Sequence, residues 1–272
     1  MDKLFFDLQA THNPHRWYMP LTNAVCVGPP GNMFMFGGVG LGSAIAAMER
    51  TCRRPVVWAT AQYLSYAQPP SVVDLDVWTP VEGKYNTQAR VVGHVHDREI
   101  FTVNAALGER PSPFSQQWLE MPNAPPPEAC DPAEHWRGGG EGLHTRIEVR
   151  VAKGRYGHDR VGKPEPDGRS LLWIRPREGF AIDAPMLAIM ADFVPSGVGN
   201  ALGANAGGNS LDNTIRIRRV VPTEWVLADI RIHGVHGGFA HGAMYLFAQD
   251  GELMATASQS LIVRVRESRD EK

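Results

Sequence analysis

Cysteine is scarce in this sequence: Cys26, Cys52 and Cys130 are the only three in 272 residues, and no two form a C-x-x-C pair. That spacing excludes zinc ribbons and dithiol redox motifs. Scattered thiols fit a reducing cytoplasm better than a disulfide scaffold. Net charge is also small, at −2, which argues against a nucleic-acid partner, since such proteins carry a basic stripe or domain. No stretch approaches the ~18 consecutive apolar residues of a membrane span. The opening segment, Met1 to Asp7, lacks the apolar core of a secretory signal. No Gly-x-Ser-x-Gly motif occurs, which removes the nucleophile-elbow chemistry of α/β-hydrolases. These absences predict a cytoplasmic chain with no membrane or nucleic-acid partner, no metal and no cofactor.

What is present is an ordinary globular composition, 43% apolar and 21% charged. Proline crowds one stretch: Pro111, Pro113, Pro122, Pro125, Pro126, Pro127 and Pro132, closed by Gly138-Gly139-Gly140. Proline at that density cannot feed a sheet or continue a helix. Residues 108–140 therefore read as a surface connector between an N-terminal half, 1–107, and a C-terminal half, 141–272.

Each half shows one helix followed by an antiparallel meander. In the first, Leu41, Ala44, Ile45, Met48 and Cys52 follow Gly37-Gly38 at helical spacing. Alternating strands then run over Val73–Val77, Tyr85–Val91 and Ile100–Leu107, with a hairpin turn at His96–Glu99. In the second, strands are expected at Leu143–Val151 and Ser170–Ile174. A helix follows over Pro185–Phe193, with Asp183 as N-cap and Pro185 in the first turn. Strands over Leu211–Val220, Trp225–His233, Ala240–Ala248 and Leu253–Val265 complete it. The halves align at a constant offset of 153 residues, which carries Pro69 to Pro222, Asp97 to Asp250 and Glu99 to Glu252. A period this long indicates duplication of a whole domain. The fold class is α+β: a double hotdog with two long central helices, each wrapped by an antiparallel sheet.

From about Phe34 to Val265 the chain resembles the acyl-CoA thioesterase II family and its thioesterase-like relatives. The resemblance is carried by Phe36-Gly37-Gly38, Tyr63–Pro69, Glu148-Val149-Arg150, Trp173-Ile174-Arg175, Ala191-Asp192-Phe193, Ser210-Leu211-Asp212 and Gln259. It implies an acyl-CoA substrate, a homodimer by analogy, and an Asp, Ser/Thr and Gln trio that holds a water. Asp192, Ser210 and Gln259 stand at the three matching positions. Their chemistry gives each a role: Asp192 deprotonates the water, Ser210 holds it, and Gln259 donates its amide to the water or to the thioester oxygen. Gly37 and Gly38 would bring backbone N–H groups to the substrate at a helix start.

Each residue also has a plainer reading. Asp192 can be a structural carboxylate within an apolar helix, satisfied by a backbone group. Gln259 shares a strand face with Leu261 and Val263 and can be a buried amide with local partners. Strict alternation puts Ser210 on the outward face with Asp212, Thr214 and Arg216, unless the strand bulges near its start. Val39 stands where the repeat would place a second Asp192, so one site per chain is expected. His94 and His96 read as an exposed strand end without a third metal ligand. His233, His236 and His241 read as a polar loop around Gly237-Gly238. Arg216, Arg218 and Arg219 read as a solvated edge rather than a CoA phosphate site. Two other functions stay open: a non-catalytic acyl-ligand-binding protein, and an enoyl-CoA hydratase. The hydratase is disfavoured because no His follows Asp192 within two helical turns.

Overall fold

The computed structural model describes residues 4–133, 141–157 and 161–265. The glycine run at 138–140 lies outside them. In the first half the elements are β1 (Gln9–Ala10), β2 (Arg16–Leu21), β3 (Cys26–Val27), β4 (Phe34–Met35), α1 (Gly37–Cys52), β5 (Val56–Tyr63), β6 (Ser71–Glu82), β7 (Asn86–Val95) and β8 (Arg98–Gly108). In the second they are α2 (Leu143–Arg146), β9 (Ile147–Lys153), β10 (Arg169–Pro176), α3 (Ala184–Ala191), α4 (Gly197–Leu202), β11 (Ala206–Ser210), β12 (Asp212–Ile217), β13 (Val226–His236), β14 (Phe239–Ala248) and β15 (Leu253–Val265).

The strands form one antiparallel sheet in the order β1-β2-β6-β7-β8-β5-β12-β15-β14-β13-β10-β9, with β11 also paired to β15. The order is a palindrome about the β5–β12 seam. The 153-residue offset carries the start of β2, Arg16, onto the start of β10, Arg169, and the start of β7, Asn86, onto that of β14, Phe239. At the seam Thr60 faces Thr214, and their hydroxyls hydrogen-bond at 2.6 Å. The two helical layers are therefore enclosed by a single continuous sheet. This is the double-hotdog plan, and joining the halves edge to edge removes two exposed strand edges.

The helices differ between halves, and here the expectation of two long central helices fails. α1 runs unbroken for 16 residues, buried from Gly38 to Met48. α3 has only 8 residues, with Asp183 Oδ1 accepting from the Met186 N–H at 2.8 Å as its N-cap. It stops because Pro195 has no N–H to donate and its ring would strike the carbonyl four residues back, that of Ala191. A 3-10 turn over Val194–Ser196 and the short α4 follow. α1 and α3 cross antiparallel at very close range. A Cβ on Gly38 would lie 2.8 Å from the Ile189 backbone, and one on Gly42 would lie 2.8 Å from the Pro185 carbonyl. Glycine at these two positions is what lets the helices touch.

Several boundaries also differ from expectation. The segment from Leu143 opens as a helical turn before β9 begins at Ile147. β5, which forms the seam, and the β1–β2 ribbon carry too little alternation to stand out in the sequence. Within Tyr63–Pro69, only Tyr63 is in a strand. The proline-rich stretch lies on the outer face of the second half. Leu119, Met121 and Ala124 pack there against Trp173, Leu227 and Phe247. The Pro125 carbonyl accepts from the Trp173 indole at 2.9 Å, and Gln117 bonds the Leu253 N–H and the Gly251 carbonyl.

Candidate active site

Asp192 sits where α3 ends. Its backbone has left the helix, with φ −84° and ψ 17°, so its side chain leans toward the start of α1. There the Gly38 N–H donates to Oδ2 at 2.7 Å. Unpaired N–H groups at a helix start suit a carboxylate, both as donors and through the helix dipole. The approach requires the absence of side chains: a Cβ on Gly37 would fall 2.8 Å from Asp192 Oδ2.

Ser210 reaches the same carboxylate from the sheet. Its Oγ donates to Asp192 Oδ1 at 2.9 Å. It faces inward because the strand carries a bulge. β11 pairs Ser210 with Leu261, whereas β12 pairs Thr214 with Ser258, so the β11–β12 side holds one extra residue. Leu211 is turned out to 36% exposure while Asn213 and Ile215 are fully buried. Strict alternation gave Ser210 the opposite orientation.

Gln259, on β15, lies behind both. Its Nε2 donates to Asp192 Oδ1 and to Ser210 Oγ, the latter at 3.0 Å. The amide must present nitrogen, because a carboxylate only accepts hydrogen bonds. Both Nε2 hydrogens are therefore committed within the cluster. Gln259 is buried, with 3% exposure. It holds the other two side chains.

Burial pushes the Asp192 carboxyl up to about 6, against the opposing pull of Ser210, Gln259 and the Gly38 amide. A carboxylate tuned to that range can accept a proton near neutral pH. Asp192, Ser210, Gly37 and Tyr63 line a cavity of about 1320 Å³ whose wall also holds Phe36, Phe193 and Tyr156. Phe36 meets Phe193 edge-on at 5.9 Å, and Tyr156 stacks on Phe193 at 6.3 Å. An apolar wall beside a few convergent polar groups is the usual character of a small-molecule site. Gly38 keeps its N–H on Asp192, so of the two glycines only Gly37 lines the cavity.

Two polar residues near the cluster escape sequence reasoning. Tyr63 ends β5 and meets Gly37; Asn213 is fully buried on β12. The available signal was a polar residue on an inward strand face, shared by Asn213 with Ile215. His144, on α2, also lines the cavity, and burial pushes it down to about 4. No local search around Asp192 could find it. The other candidates fall elsewhere. Arg218 and Arg219 pair with Glu252. His94 bonds Asp76 at 3.2 Å. Among the described residues, no cluster of His, Cys, Asp and Glu could hold a metal, and no helix is long and apolar enough to cross a membrane.

Fold and site together define a double-hotdog protein with one buried carboxylate centre at the junction of its halves. A family model described as the acyl-CoA thioesterase C-terminal domain matches residues 122–263, just over half of the chain. The solved structure of a thioesterase candidate from Novosphingobium aromaticivorans is 34% identical, with a TM-score of 0.85, covering 96% of this chain and 98% of that one. The chain belongs to the acyl-CoA thioesterase family. More remote structures share the fold. A hotdog protein of unknown function from Alicyclobacillus acidocaldarius is 16% identical at TM-score 0.82, with 96% and 97% coverage. An acyl-CoA thioesterase II from Mycobacterium marinum is 23% identical at TM-score 0.73, also with 96% and 97% coverage. No curated protein matches the chain.

Proposed function

We propose that this protein hydrolyses acyl-CoA thioesters by attack of a water molecule that Asp192 deprotonates. The observation that carries the reading is the hydrogen-bonded convergence of Asp192, Ser210 and Gln259, with Asp192 and Ser210 on the cavity wall. Asp192 takes the proton as the water oxygen adds to the thioester carbon. Ser210, hydrogen-bonded to the same carboxylate, orients the water. Gln259 is a positioning residue that keeps both in place. The tetrahedral oxyanion needs a donor, and the Gly37 N–H, at the first turn of α1, supplies it. Collapse of the oxyanion expels the CoA thiolate, which takes up the proton. Phe36, Phe193 and Tyr156 form the apolar slot for the acyl group. Arg177, the one Arg or Lys on the cavity wall among the described residues, meets the CoA phosphates.

The test is release of free CoA from a panel of acyl-CoA thioesters. Wild type is expected to turn over, and Asp192→Asn to lose about 10²–10⁴-fold in kcat, the span of a general base. Tight CoA-ester binding without release by wild type would replace the reading with a non-catalytic acyl-CoA binder. His144 on the cavity wall gives the hydratase a residue that the sequence around Asp192 lacked. Water addition to an enoyl-CoA without CoA release would favour that alternative.

A further inference from the structure

Beside the Asp192 cluster lies a group of buried polar atoms that the proposed reaction does not use. Among the described residues, Tyr63 Oη, Asn213 Nδ2, Asn213 Oδ1 and Gln259 Oε1 are buried without a well-aligned hydrogen bond. Buried polar atoms without partners are rare, and each costs free energy. Four belonging to three neighbouring residues are not scattered defects.

The strand register brings them together. Asn213 pairs with Ala61 on β5, and Tyr63 lies two residues further along the same face. On the other side, Thr214 pairs with Ser258, and the extra residue of the bulge leaves Asn213 beside Gln259, the next residue of β15. Neighbours on one face of paired strands are within reach of each other's long side chains. The three side chains are also complementary. Tyr63 offers an O–H, Asn213 an acceptor and two donors, and Gln259 an acceptor that its commitment to Asp192 leaves turned away from the carboxylate. The Tyr63 phenol feels a loose polar contact from Asn213, too poorly aligned to count as a full hydrogen bond, which opposes a larger upward push. Burial and the Asp192 and Asp212 carboxylates supply that push, so the phenol stays a donor.

We infer that Asn213 is a positioning residue for the Asp192 centre: its amide links Tyr63 to Gln259 Oε1 and thereby fixes the Gln259 amide that holds Asp192 and Ser210. Small rotations of the three side chains close the chain from Tyr63 O–H to Asn213 Oδ1 and from Asn213 Nδ2–H to Gln259 Oε1. Without Asn213 the Gln259 amide is free to turn, and Asp192 loses part of a charge-stabilising hydrogen bond. The titratable groups facing the relay are Asp192 at the end of α3, Asp212 on β12 and Tyr63 itself; α1 presents only its backbone amides. The inference rests on the thioesterase reading for its effect on turnover, but not for its effect on Asp192.

Two measurements keep those separate. In Asn213→Leu, which matches the side chain in size, kcat is expected to fall about tenfold at unchanged KM, as for an interaction made only in the transition state. Independently of turnover, the Asp192 carboxyl carbon, labelled with ¹³C and assigned by its loss in Asp192→Asn, is titrated by NMR. Its midpoint is expected to move to higher pH by about 0.5 in Asn213→Leu, because the donor that opposes burial has loosened. Tyr63→Phe, which removes only the hydroxyl and keeps the ring, should shift it in the same direction by less, and serves if Asn213→Leu does not fold. An unchanged midpoint in the folded variants overturns the relay. Absence of CoA release by wild type overturns the proposed function and leaves the titration result standing.

Discussion

In the first half of the molecule α1 runs sixteen residues without a break, sealed inside its sheet. In the second half the corresponding layer is cut into α3, a 3-10 turn and α4. The same duplicated plan thus yields one structural helix and one interrupted helix, and the interruption frees a carboxylate to leave the helical path. The 153-residue offset places Val39 opposite Asp192, Val57 opposite Ser210 and Ala106 opposite Gln259. The first half has an apolar side chain at every position where the second has a member of the cluster. The outer faces differ as well. The first half exposes Val57, Val72, Trp78 and Val81, whereas the second half covers Trp173, Leu227 and Phe247 with the proline-rich stretch. A duplicated fold need not keep two sites. One half supplies the carboxylate and its partners, and the other supplies the helix start that receives it.

The strongest way to break this contrast is to put the charge in the wrong half. Val39 is fully buried, and it lacks the three donors that surround Asp192. Val39→Asp is expected to cost about 3–5 kcal/mol in denaturant unfolding, the penalty of an uncompensated buried charge. A smaller cost would mean that the first half retains a latent polar site. Next come the paired substitutions Ser210→Ala and Val57→Ala. The first should lower kcat by about 10²–10³-fold, the range for one lost catalytic hydrogen bond. The second, at an outward position, should leave kcat alone and change stability by less than about 0.5 kcal/mol. Equal effects would erase the asymmetry.

The pH dependence sharpens it further. Asp192 must be ionised to take a proton, so kcat/KM should fall about tenfold per pH step below about 6 and level off above. The sign for stability is the reverse. The folded pKa lies above the unfolded value, so the favourable contribution is complete below the unfolded pKa and is lost as pH rises through about 6. Thermal unfolding of wild type against Asp192→Asn across that window checks it: wild type should lose ground as pH rises. A modest effect is expected on the covered outer face. Gln117→Ala removes two hydrogen bonds to the β14–β15 turn and should cost about 1 kcal/mol, read as faster proteolysis within the proline-rich stretch. Unchanged cleavage would show that the apolar contacts alone hold it.

The last strand, β15, was legible to the residue, since its inward alternation and the turn before it leave little choice of register. α1 was legible through its apolar spacing and its glycines. The seam strand β5 was not: Val56–Tyr63 mixes alanine, threonine and glutamine, and only pairing across the duplication defines it. The second helix reads as Pro185–Phe193 and is found over Ala184–Ala191; what failed was the expectation that it would be as long as α1.

Sequence alone determined that the chain is duplicated, that its first helix is buried, and that Asp192, Ser210 and Gln259 were the side chains to watch. Those follow from periodicity, proline placement and resemblance, all local or ordered along the chain. Tertiary structure alone decided that Ser210 turns inward, that Gly38 surrenders its N–H to Asp192, and that Asn213 and Tyr63 stand beside the cluster. The reason is physical. A single bulge reverses which face a strand presents, and contacts between residues about 150 positions apart depend on how two sheets join, which no local pattern records.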